Sequence, residues 1–571
     1  MNGMEPKIVS SYPADYLFTV PESGKLPAGQ AAEAPLSAPG DRVSLTPPAG
    51  DAKREKKSVR VSVLPQDPQV SPAETIEFPE EKIGKKVSGE RVAVYEDKLP
   101  VAIADPDGNY FFSVGTPQFD QVNAHTVAYR TLDMYEELMG HGIEWAFDSP
   151  RLLVLPHKQE GKNAYYARWQ ESVNFFYFNS RPLEKTVQTS ESADVVSHET
   201  GHAVLDGLRP NYLGGFNGSE TGAFHEAFGD ITAMLLAMRS PANLKAILDE
   251  NGGDFRRESL LSRLAEEFGK AVHLEDSDPA NDGKTYLRTA INNFTYADPS
   301  TLPDGKDDDK LTSEVHNFSR LFTATFYDCL EGVYKQNLAE NRDSLSALKA
   351  AGDDMGKIFG KAVDLAPTSR ANYRDIALSM LKADELSGGR YQSVLRNVFV
   401  ARKILSRTDL QRSPLPDFKL NRPPSSAEEA LKLIKNYGDA LELPPNTKVE
   451  RLTANEKGET FISFSYSRQV PVSGRGLEKY GDCVTNLAGG LTLAFDAQGK
   501  LLSLAGDPVD EEKIENAMRE IAGYDEAGLI LRSSSRANAE RLVNSRGELY
   551  RAVLVPTFSG QKVLQKLPVI D

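Results

Sequence analysis

Two cysteines in 571 residues are too few for a disulfide framework. Cys329 falls on an apolar helical stripe and reads as a core residue, whereas Cys483 sits in a polar stretch and is expected to be free. No apolar run approaches the roughly 20 residues that a transmembrane helix needs. Residues 1–20 lack a basic segment followed by an apolar one, so no signal peptide is visible. The cytoplasm and export by a leaderless route are both compatible with this. Positive charge is also short: the formal net charge is −16 and the pI about 5.2. That balance excludes nucleic acid and anionic membrane as main partners. Histidine is scarce, with eight in the whole chain, which makes the placing of two of them informative.

Those two are His198 and His202, with Glu199 between them, in Ser-His-Glu-Thr-Gly-His. On a helix, positions i and i+4 share a face, so both imidazoles can converge on one cation. This is the H-E-x-x-H arrangement, which binds zinc and supplies a carboxylate as general base. Asp194 is expected to cap the helix, with Val195, Val196, Ala203 and Val204 as apolar flanks. The competing reading is an amphipathic helix with two polar histidines.

A catalytic zinc wants a third protein ligand and leaves one position to water. Gly222-Ala223-Phe224-His225-Glu226-Ala227-Phe228-Gly229-Asp230 opens a second predicted helix. Glu226 is its candidate ligand. Asp230, one turn on, is placed to accept the second N–H of a ligand histidine. The alternative for both acids is a solvated first turn that favours the helix dipole.

These residues, from Asp194 to Val204 with Gly222-Ala223, Glu226-Ala227 and Asp230, resemble the thermolysin-like metallopeptidases, a gluzincin group. Further landmarks follow in order. Val315-His316-Asn317-Phe318-Ser319 resembles the family's downstream catalytic histidine segment, Leu287-Arg288 its arginine, and Asn163-Ala164-Tyr165-Tyr166 its substrate-binding edge strand. Asn123-Ala124-His125 resembles the start of an earlier helix, and the helices to about Ile404 the helical C-terminal half. The resemblance spans roughly residues 100–405. It implies Zn²⁺ on His198, His202 and Glu226, Glu199 as general base and His316 as oxyanion donor. It also implies Arg288, Asn163 and Ala164 as substrate-binding groups and a peptide or protein as substrate. Taken alone, His316 reads as a helix-capping group, Arg288 as a surface ion-pair partner of Asp276 or Asp282, and Asn163 as a turn residue.

The chain also departs from the family. The loop between His202 and Glu226 is longer and glycine-rich, and the tyrosine expected before the third ligand is missing, with Tyr212 a weak substitute. His225 stands where asparagine is usual. Asp194 matches a calcium-ligand position, but the segment after Asp230 lacks the accompanying acids, so no calcium is expected there.

The fold expected is α+β: a β-rich part bearing the active-site helices, a helical part, and a small C-terminal α+β domain. Residues 1–57 read as a disordered or loosely packed leader, 58–405 as the metallopeptidase region, 406–424 as a Pro-rich linker and 425–571 as the accessory domain. Strands are expected over Ser58–Leu64, Arg91–Tyr95, Asn109–Val114 and Phe461–Ser467. Ser426-Ala427-Glu428-Glu429 is a capping box, and Leu491–Phe495 with Leu501–Leu504 reads as a hairpin. The C-terminal domain is a candidate surface for a protein partner. The function expected is endopeptidase cleavage. An aminopeptidase of the same group is the nearest rival, although the Gly-x-Met-Glu-Asn segment that would hold a free amine is absent. A silent zinc scaffold is the other; retention of Glu199 and His316 argues against it.

Overall fold

A computed structural model describes residues 42–43, 57–275, 285–305, 307, 309–340, 342–411, 415–416, 420–535, 550–557 and 561–570. Most of the expected leader lies outside these residues, as do Asp276 and Asp282. The fold is mixed α/β, with strands in the N-terminal part, helices after them, and a C-terminal sheet with its own helices.

An antiparallel hairpin, Ser58–Val63 with Glu74–Pro79, precedes a five-stranded sheet. That sheet contains β1 (Val92–Val94), β2 (Leu152–Leu155), β3 (Ala164–Ala167) and β4 (Ser172–Phe175). Asn109–Val114 is not a strand; only Tyr110 bridges to Val61. The C-terminal part supplies β5 (Lys448–Ala454), β6 (Thr460–Pro471), β7 (Val484–Phe495), β8 (Leu501–Asp507), β9 (Ile530–Arg532), β10 (Ala552–Pro556) and β11 (Lys562–Lys566). With Arg42–Val43, which pairs parallel to β5, they form an eight-stranded sheet. The last strand, β12 (Val569–Ile570), leaves that sheet and joins the first, whose order is β12-β3-β4-β2-β1.

Five long helices matter for the site. They are α1 (Pro117–Met139), α2 (Ala193–Leu208), α3 (Ser219–Ala237), α4 (Val315–Ala339) and α5 (Ser344–Leu365). All five bury most of their length, because the apolar residues of each continue into one core that joins the strand-rich and helical parts. The cap of α2 is Ser192, whose hydroxyl accepts from the Val195 N–H; Asp194 lies inside the first turn and accepts from the Ala265 N–H instead. In the C-terminal part, Ser426 caps α6 (Ala427–Tyr437) through the Glu429 N–H, but the Glu429 carboxylate accepts from Ser425 and not from Ser426, so the capping box is half formed; β7 and β8 pair as a hairpin, and α7 (Glu511–Glu526) packs on the sheet.

From Asp41 on, the chain forms one compact unit. Arg209, at the end of α2, is buried and donates to the carbonyls of Val363 and Asp364 and to the Ser463 hydroxyl of β6. Asp364 at the end of α5 accepts from Arg451 of β5 at 2.7 Å and meets His141 at 2.8 Å. The Glu520 carboxylate on α7 accepts from the N–H of Gly218, the residue before α3, at 2.9 Å. The C-terminal part therefore braces the two helices on which the site is built. No helix among the described residues is long and apolar enough to cross a membrane.

Candidate metal centre

α2 and α3 approach unusually closely. A Cβ on Gly201 would lie 2.8 Å from the Thr232 hydroxyl, and one on Gly229 would lie 2.6 Å from His198 Nδ1. Both contacts are shorter than real side chains tolerate, so only glycine lets α3 lie against the α2 histidines. Gly201 costs up to about 1 kcal/mol of helix propensity relative to alanine; the close approach is what it provides.

One turn apart on α2, His198 and His202 hold their rings 4.6 Å apart at 87°. Glu226 reaches them from α3, with Oε2 3.4 Å from His198 Nε2 and Oε1 3.7 Å from His202 Nε2. The ligating atoms of the three residues lie within 4.8 Å of one another and all three are buried. His202 Nε2 and Glu226 Oε1 have no hydrogen-bond partner among the described residues. Two buried polar atoms facing each other beyond hydrogen-bond reach are costly unless something binds both. Two imidazoles and a carboxylate are a borderline-cation donor set, so the residues present fit a metal ion.

The outer contacts orient these groups. Asp230 Oδ1 lies 3.1 Å from His198 Nδ1, which leaves Nε2 for the centre. His202 Nδ1 lies 3.2 Å from His225 Nδ1. One of those nitrogens must accept, and burial lowers the His225 pKa to about 4, keeping its ring neutral. Burial and the neighbouring His198 likewise hold His202 far below the usual histidine value, the neutral form a metal needs. Burial opposes charge on His198, but its hydrogen bonds to the Asp230 and Glu226 carboxylates outweigh it and raise its pKa to about 9. The same opposition at Glu226 is overcome by the charge of His316 and the hydrogen bond from His198, which hold it ionised well below the ordinary carboxyl value.

Arg288 spans both acids of α3, 3.4 Å from Glu226 and 3.3 Å from Asp230. His316, in the first turn of α4, places Nε2 3.5 Å from Glu226 Oε2. Its Nδ1 lies 2.6 Å from Glu314 Oε1, while Glu314 Oε2 caps α4 through the Asn317 N–H. Burial disfavours its protonation, yet Glu226 and Glu314 raise His316 to about 9. In the sequence Glu314 shows only as an acid two residues before a helix-opening histidine.

A cavity of about 430 Å³ opens over the centre. Glu199, His198 and Asp230 line it together with Asn163, Ala164, Arg288 and His316. Tyr212 does not reach it: its hydroxyl donates to the Pro367 carbonyl within the core. His125, His141 and His157 are buried and bonded elsewhere, and His273 bonds the Tyr286 carbonyl at the cavity wall.

Residues 89–206 match the family model of the thermolysin metallopeptidase catalytic domain. The matched stretch contains His198, Glu199 and His202 and ends before Glu226. No curated protein matches the chain.

Proposed function

We propose that this chain, a thermolysin-like metallopeptidase, uses zinc to hydrolyse peptide bonds inside its cavity. One observation carries the reading: two buried imidazoles and a buried carboxylate, from two helices, aim their ligating atoms at one point. Zn²⁺ held by His198, His202 and Glu226 would supply a Lewis acid and bring the pKa of a coordinated water down to about 7.

The chain's own groups do the rest. Glu199, one residue past a ligand, faces the cavity beside the centre. Its carboxylate takes a proton from the attacking water as the new C–O bond forms. It returns that proton to the departing amine as the C–N bond breaks. His316, fixed by Glu314 through Nδ1, turns Nε2–H to the carbonyl oxygen as charge builds there. Arg288 fixes the Glu226 and Asp230 carboxylates and presents its guanidinium to a substrate carbonyl. Asn163 and Ala164, at the end of β3 that β12 leaves unpaired, hold the peptide backbone by strand addition. We assign cleavage that does not require a free amine, since the segment that would bind one is missing from the sequence.

The test is metal analysis joined to a peptide digest. About one zinc per chain is expected, with activity lost on chelation and restored by zinc. Full activity in metal-free protein would overturn the reading.

A further inference from the structure

The edge on which a substrate would pair is already partly taken by the chain itself. β12 runs antiparallel to β3, with Val569 opposite Ala167 and Ile570 opposite Tyr166. The Arg168 N–H donates to the Pro568 carbonyl at 3.1 Å. Along its other side β3 pairs with β4 over its whole length. Backbone groups of a strand alternate between its two neighbours. The Asn163 carbonyl accepts from the Phe176 N–H and so faces β4; Tyr165 shares that phase, while Ala164, Tyr166 and Arg168 face outward. β12 covers the outward positions at Tyr166 and Arg168. The next one, Ala164, belongs to the cavity wall, where neither β12 nor Tyr165–Ala167 takes part.

β12 is built in. Val569 is 4% exposed and Ile570 7%. Val569 packs in a cluster with Tyr165, Ala167, Phe176 and Val553, and Ile570 packs into the main core. Arg551 ties down the Val569 carbonyl at 3.0 Å.

We propose that Val569 and Ile570 determine specificity by closing the substrate edge just beyond Ala164. The inference rests on the peptidase reading. Antiparallel pairing is the more stable mode and the one β12 itself adopts. A peptide added to β3 in that sense runs in the same direction as β12, so its N-terminal end points toward the C-terminal end of β12. Ala164 is the outward-facing position of β3 that β12 leaves open, so only a few residues fit on the N-terminal side of the cleaved bond before β12 is met. The preferred substrates are therefore peptides, amine-blocked or free, whose scissile bond lies close to the N-terminus.

The experiment uses the zinc-loaded full chain and acetylated peptides that share one C-terminal half and carry from one to about six residues before the bond. kcat/KM should peak among the shortest of these peptides and fall at least about tenfold by the longest. In a chain ending at Pro568, or in Ile570→Pro, which removes the N–H facing Tyr166, the longer peptides should recover. Either variant suffices if the other does not fold. A wild-type rate that stays level or rises with length overturns the proposal, as does a fall that persists in a folded variant. If no peptide of any length is cut, the peptidase reading itself fails and takes this inference with it.

Discussion

At the residue scale the site is a set of histidines each given one task by its second nitrogen. Asp230 holds His198 and Glu314 holds His316, both through Nδ1, so that each Nε2 faces the centre. His316→Ala should lower kcat by about 10²–10³ with KM little changed, because the hydrogen bond strengthens only as the oxyanion forms. Steady-state kinetics on one peptide measures it, and a loss confined to KM would contradict the assignment. The pairing of His198 with His202 was legible because helical spacing is a local property of sequence, whereas Glu226, on the next helix, showed only as an acid beside the motif. The partnership of His202 with His225 was not: the sequence shows only an unexpected residue before Glu226, and the pairing depends on how α3 rolls against α2. Gly201 and Gly229 show the same limit, since in sequence they register as helix costs and only the packing reveals their use.

At the element scale, periodicity and caps located the buried helices and the C-terminal hairpin, whose signals lie within a few residues. The sequence places the start of α2 two residues too late, because Asp194 and Ser192 are both good capping residues and the Ala265 N–H recruits Asp194. The pairing of β12 with β3 joins segments far apart in sequence and carries no local mark. The junction of α5 with β5 yields a prediction. Burial alone would raise the Asp364 carboxyl, but His141 and Arg451 hold it well below its ordinary value of 3.8. A depressed folded pKa contributes stability that is present above 3.8 and is lost as pH falls below it. Urea midpoints should therefore drop between about pH 5 and about pH 3, and drop less in Asp364→Asn. That variant should already be weaker at neutral pH, by about 3–5 kcal/mol, because Arg451 loses its counter-charge. Equal acid sensitivity in both proteins would contradict the account.

At the scale of the whole molecule, the C-terminal part is structural support for the site rather than a detachable appendage. Arg209, Asp364 and the Gly218 N–H before α3 all find partners there. Against a typical total stability of about 5–15 kcal/mol, orphaning several buried polar groups at once is decisive. A chain stopped at residue 424 should show no cooperative melt by calorimetry; a folded, active fragment would contradict this. The account as a whole stands on Glu199 acting beside a metal that it does not bind. Its most direct test is the turnover of Glu199→Gln against wild type at equal bound zinc. The account predicts that the variant keeps its metal and loses activity by at least about 10²–10⁴. Undiminished cleavage by the zinc-loaded variant would contradict it.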